Sequence, residues 1–226
     1  MKPKAWGALA ALVTLVAVAR EPIVAQELTI AQLQYGGGGD WYANPSGLPN
    51  LLKAIRERTG LPVSDRPGKV KLTDPTLWNY PYIYITGHGN IRFTDEEVQI
   101  LRRYLLSGGF LHADDNYGMD KSFRREIARV FPDKELVELP ADHPLYRSYY
   151  EFPKGLPKIH KHDGKPPQGF AVLHQGRVIV YYTYETDLGN GWEDAGRHDN
   201  PPEAREAAFR MGVNLFVYAL SQAVTQ

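Results

Sequence analysis

Apolar and polar positions along the chain alternate between two rhythms, one of strands and one of helices. LTIAQLQY (28–35) is rich in strand-forming residues and runs into the loop GGGGDWY. Ser46 then precedes Leu48, Leu51, Leu52 and Ile55, the i, i+3, i+4, i+7 spacing of one buried helical face, and Gly60 ends it. YPYIYIT (80–86) is a nearly continuous apolar run that suits a strand covered on both faces, and it stops at GHGN. Thr94 and Glu97 have capping-box spacing ahead of Val98, Leu101 and Leu105, until Gly108 and Gly109 stop the helix. FLHA is the next strand. Asp120 is positioned to cap a helix with Phe123, Ile127 and Val130 on its apolar side, and ELVELP follows as a strand.

After Pro140 the rhythm breaks. Residues 142–169 are crowded with proline, histidine and aromatics, show no helical period, and read as a long structured loop. FAVLH, a tight Gln175-Gly176 turn and RVIVYYTY predict a hairpin that ends in the polar stretch ETDLGNGWED. Asn200, Pro201 and Glu203 start a final helix reaching Leu220, whose later part, MGVNLFVYAL, is apolar on nearly every side and therefore buried. Strands separated by helices need crossover connections. The pattern therefore predicts an α/β fold with a mostly parallel central sheet and a C-terminal hairpin plus helix.

The first 25 residues stand apart from this pattern. Lys2 and Lys4 precede the apolar run WGALAALVTLVAVA, and small-residue cleavage sites follow at Ala19 and Ala25, as in an export signal. That run is short against the roughly 20 residues that span a bilayer. The expectation is a removed signal over residues 1–25 and one exported domain over residues 26–226, periplasmic or extracellular, with no membrane span of its own. Losing Lys2, Lys4, Arg20 and Glu21 leaves 23 basic against 25 acidic residues, a formal charge of −2. A chain this close to neutral has no global electrostatic reason to bind nucleic acid. The 226 residues include no cysteine, which excludes disulfides, thiolate zinc sites and a cysteine nucleophile.

Polar residues gather where strands end. Three predicted strands terminate in YGGGGDWY, TGHGN and HADDNYG, and parallel strands would bring those loops to one sheet edge, where ligands of open α/β sheets bind. The candidates there are Tyr35, Gly37, Gly38, Asp40, Trp41 and Tyr42, then Gly87, His88 and Asn90, then Asp114, Asp115 and Tyr117. Alternation turns His112 and Asp114 to one face and Asp115 to the other. Each has a plain structural alternative: the glycines as a turn, the aspartates as acceptors for loop amides, His112 as a satisfied core histidine. Asp40 would repel a phosphate in the glycine loop, and the Lys-Ser/Thr of a P-loop is absent. KIHKHDG (158–164) sets His160, His162 and Asp163 close together without matching a standard metal motif. YETDLGNGWED adds Glu185, Asp187 and Trp192 for calcium, a polyol or loop stabilisation. No G-x-S-x-G elbow or H-E-x-x-H helix occurs.

Several of these stretches, among them YGGGGDWYANPSGLPNLL, YITGHGN, GGFLHADDNYG, LPADHPLYRSYY, GLPKIHKHDGKPPQG and YYTYETDLGNGWED, resemble an uncharacterised bacterial domain family of the class I glutamine amidotransferase-like superfamily, whose functional namesakes are the ThuA-like proteins. The resemblance covers nearly all of residues 28–222; its link to the wider superfamily rests on GGFL and DHPL. It implies a flavodoxin-like three-layer sandwich in which the strand after the glycine turn delivers the nucleophile. Here that stretch carries Asp114 and Asp115, so glutaminase chemistry through a thiolate is excluded. Two readings follow. In one, the domain binds a small ligand, carbohydrate being one candidate, or a protein partner at the carboxyl edge, with Tyr35, Trp41, Tyr42, Tyr117 and Trp192 as stacking surfaces. In the other, it is a hydrolase assisted by a divalent metal, with His88, Asp114 and Asp115 as ligands or proton carriers and Glu185 as the complementary acid.

Overall fold

The computed structural model of the protein describes residues 28–223; the expected export signal lies outside them. Seven strands form one sheet: β1 (Ile30–Leu33), β2 (Gly68–Val70), β3 (Tyr82–Gly87), β4 (Phe110–Asp115), β5 (Val137–Glu138), β6 (Gln168–His174) and β7 (Arg177–Tyr184). Their spatial order is β2-β1-β3-β4-β7-β6-β5. The first five of that series pair in parallel, and β6 and β5 complete the sheet in antiparallel fashion. Between the strands lie α1 (Gly47–Thr59), α2 (Asp95–Leu106) and α3 (Asp120–Val130), and after β7 come α4 (Leu188–Trp192) and α5 (Pro202–Ala223).

The two faces of the sheet carry separate cores. Ile30, Tyr82, Tyr84, Phe110 and Tyr181 pack against α1, α4 and α5, whereas Leu33, Ile83, Ile85, Leu111 and Val180 pack against α2 and α3. This is the expected α/β three-layer architecture, and its strands are buried on both faces because helices cover each side. From β1 the chain passes through α1 to β2 on one side, and β3 then resumes on β1's other side. The switch point therefore falls between β1 and β3, where the loops that follow them splay apart and leave a crevice.

Several local expectations hold in detail. Thr94 Oγ1 accepts from the Glu97 amide at 3.2 Å while Glu97 Oε2 accepts from the Thr94 amide at 2.8 Å, a complete capping box. Gln175 and Gly176 both have left-handed φ, 51° and 78°, as a two-residue hairpin with the sheet's twist requires. Others need correction. Ser46 sits at the N-cap of α1 but makes no cap bond; its hydroxyl and amide donate instead to Glu193, 147 positions away. Asp120 is the first residue inside α3 rather than its cap, and accepts from Arg124 Nε and the Tyr182 hydroxyl. Two elements carry no period to be read: β2, three residues at the sheet edge after Pro67, and α4, one short helix within the polar stretch after β7.

Candidate functional site

The loops at the carboxyl edge surround a cavity of about 650 Å³. The loop after β1 supplies Asp40, Tyr42 and Asn44; the loop after β3 supplies His88; the loop after β4 supplies Asn116 and Tyr117. The remaining wall comes from the long segment between β5 and β6, through His160, Lys161 and His162, and from the chain after β7, through Asp187, Asn190, Glu193, Arg197 and His198. Tyr42 and Tyr117 are the open aromatic surfaces of this rim, 62% and 53% exposed.

Two histidine–aspartate pairs flank the cavity. His88 Nδ1 lies 2.9 Å from Asp40 Oδ2, and the His88 amide donates to Asp40 Oδ1. Burial pushes the Asp40 carboxyl up, but the His88 hydrogen bonds and charge outweigh it and hold the group below its ordinary value. Asp40 is thus an ionised acceptor facing Nδ1, and His88 Nε2 has no protein partner among the described residues. Glycine makes this geometry: Gly87 has φ 139°, and a Cβ there would run into the Tyr35 hydroxyl and Asp40.

The second pair is buried. His162 Nε2 is 3.2 Å from Asp187 Oδ2, with the two side chains 3% and 1% exposed. Asp187, itself at φ 58°, accepts from the Asn190 amide and side chain, and Asn116 turned with Nδ2 toward it lies 2.9 and 3.1 Å from its two oxygens. Burial nevertheless raises its carboxyl to about 7. Burial likewise lowers His162, which keeps its imidazole neutral, and its Nδ1 has no hydrogen-bond partner among the described residues.

The strand-end aspartates serve a different purpose. Asp114 is fully buried beneath the cavity and accepts from Thr183 Oγ1 (2.6 Å), the Gly189 amide (2.7 Å), the Leu188 amide (3.1 Å) and the Tyr84 hydroxyl (3.3 Å). It therefore fastens the start of α4 to β4, and with both oxygens engaged it has no free face for a metal or substrate. Asp115 points to the opposite face, as alternation requires, and receives the Met119 amide; burial raises its carboxyl to about 6. Glu185 is buried in an ion pair with Lys158 at 3.0 Å. The expected constellation of His88, Asp114, Asp115 and Glu185 is thus not assembled, and among the described residues no three His, Asp or Glu side chains are arranged to hold a metal ion.

The remaining candidates divide. Trp192 is not a rim residue: α4 turns it inward, fully buried against Tyr84 and His112, with Nε1 donating to the Ala208 carbonyl at 2.8 Å. Tyr35 is a buried strut whose hydroxyl donates to the Thr86 carbonyl, and Trp41 packs on the α2/α3 core. Gly37 and Asn90 clasp their two loops together through Asn90 Nδ2 and the Gly37 carbonyl, 3.1 Å apart, while Gly38 sits in open space at φ 89°. His112 is a core histidine between the Tyr82 hydroxyl and Thr183, and burial drops it to about 3. Asp40, Tyr42, His88 and Tyr117 do reach the cavity. His160 and His162 arrive there too; His198, Arg197 and Glu193 carried no motif, because only the return of α4 against α1 brings them close.

Residues 29–220 match the protein family described as Domain of unknown function (DUF4159). The chain belongs to this family. The match spans all seven strands and every loop around the cavity, so the site lies within the DUF4159 domain itself. No curated protein matches the chain. Among the described residues no helix is long and apolar enough to cross a membrane.

Proposed function

We propose that this DUF4159 domain is an exported ligand-binding module, periplasmic or extracellular, that takes a small polyhydroxylated molecule of the carbohydrate class into the cavity at its carboxyl edge. It is further proposed to be a member of the amidotransferase-like superfamily that keeps the ancestral pocket without the thiolate. One observation carries the reading: two histidine–aspartate pairs and two exposed tyrosines converge on a single cavity at the sheet's switch point. Sugars fit such a lining because hydroxyls both donate and accept. His88 Nε2 offers a lone pair to a donor, Lys161 and Arg197 offer protons to acceptors, and Tyr42 and Tyr117 offer rings to the apolar face of a pyranose.

Thermal-shift and calorimetric titration with xylo-, cello- and chito-oligosaccharides test this. The expected result is a saturable shift with at least one series that disappears in Tyr117→Ala and is reduced in His88→Ala, while the ligand-free melting temperatures stay close to the wild type. No shift with any series, or undiminished shifts in both variants, overturns the cavity as the saccharide site. N-terminal sequencing of the exported protein tests the localisation; a start near residue 20 or 26 is expected, and an intact Met1 in the cytoplasm overturns it.

A further inference from the structure

His88 is arranged for more than binding. Its imidazole is 56% exposed at the cavity, one nitrogen tied to an ionised carboxylate and the other without a partner among the described residues, the arrangement that orients a proton-accepting imidazole. The backbone is committed to this display: Gly87 and Gly89 both take left-handed φ, 139° and 89°, and Asp40 binds the His88 amide as well as its ring. A residue needed only to fill a loop would not require a carboxylate on both.

The other acids of the cavity decide which bond such a base could act on. Glycoside cleavage uses two carboxyl groups open to the substrate. Here Asp187 is wrapped in donors and Glu193 is 1% exposed, accepting from Ser46, His198 and Arg197, so neither stands free beside Asp40. One exposed base with no accessible acid partner among the described residues suits an ester, in which the same imidazole can return the proton it took. Resting on the carbohydrate reading above, we infer that the cavity is a metal-independent esterase site for O-acylated saccharides, with His88 as the catalytic base and Asp40 as its positioning residue.

The step balances without a co-reactant beyond water. His88 Nε2 takes one proton from water as the water oxygen bonds to the acyl carbon. The tetrahedral adduct then breaks its bond to the sugar oxygen, which takes that proton from Nε2–H. The products are a carboxylic acid and a free sugar hydroxyl.

The test pairs acetylated with deacetylated xylo-oligosaccharides and measures acetate release beside binding. The wild type is expected to release acetate, and His88→Ala to lose roughly 100-fold or more of that rate, while melting and acetylated-sugar docking show that the variant is folded. Added imidazole should restore part of the His88→Ala rate, since the exposed position leaves it room. Asp40→Asn keeps an oxygen for the His88 amide but no longer fixes the ring tautomer, so kcat should fall with KM unchanged. His174→Gln, at the distant β6–β7 turn, should match the wild type. Acetylated sugars that bind without acetate release, or a His88→Ala variant with the full rate, overturn the esterase inference and leave the binding module standing. Binding of neither sugar form overturns the esterase inference, and the absence of a shift with every saccharide series overturns the binding module as well.

Discussion

Asp114→Asn separates the role of the buried carboxylate from that of its charge. In the folded protein, burial first and the Asp187 charge second raise the Asp114 carboxyl from 3.8 to about 7, against the opposing hydrogen bonds from Thr183, Gly189 and Leu188. Between those two values the folded form holds a proton that the unfolded chain has released. This contribution to stability is fully present below about pH 4, falls by about 1.4 kcal/mol per pH unit, and is lost once the pH passes about 7. Asparagine has no such slope. It does have a penalty of its own, because the Leu188 and Gly189 amides donate to different carboxylate oxygens and one of them must then face the Nδ2 donor, at about 1–3 kcal/mol. Urea unfolding of both proteins from pH 5 to pH 8 should therefore find the variant less stable at pH 5. The gap should close by roughly 2–3 kcal/mol on the way to pH 7 and stay constant beyond. Asp115 and Asp187 titrate in both proteins and largely cancel in the difference. A gap that is constant over the whole range, or one that widens toward pH 8, refutes the assignment of a raised, buried carboxyl to Asp114.

Two further substitutions probe the scaffold around the cavity. Trp192→Ala should cost about 3–5 kcal/mol in denaturant unfolding, because it empties a fully buried indole site between Tyr84, His112 and α5; a loss below about 1 kcal/mol would return Trp192 to the surface. Gly87→Ala forces a Cβ toward the Tyr35 hydroxyl and Asp40 at φ 139°. It should lower stability by about 1–3 kcal/mol and weaken the saccharide-induced thermal shift by displacing His88, and an unaltered shift would detach the His88 loop from the site.

Periodicity and punctuation made the frame legible before any coordinates. Leu48, Leu51, Leu52 and Ile55 mark one face of α1, Thr94 and Glu97 bracket the start of α2, and the unbroken apolar runs of β3 and β7 announce strands covered on both sides. These signals are local, set by 3.6- and 2-residue repeats and by backbone groups a few positions apart, so the chain carries them wherever it folds. The parallel crossovers and the edge where His88, Asp40, Tyr42 and Tyr117 gather follow from the same order of elements. The role of each polar residue does not, because it depends on partners far away in the chain. Asp114 and Asp115 are adjacent acids at a strand end, yet amides some 75 positions away turn Asp114 into a structural anchor. Trp192 lies in a polar, glycine-rich stretch that reads as a loop until α5 packs over it, and Ser46 reads as a helix cap until Glu193 arrives. The repeat along the chain determined the elements and the edge; only long-range burial and hydrogen bonding decided which acids are fastened inside and which histidine faces the cavity.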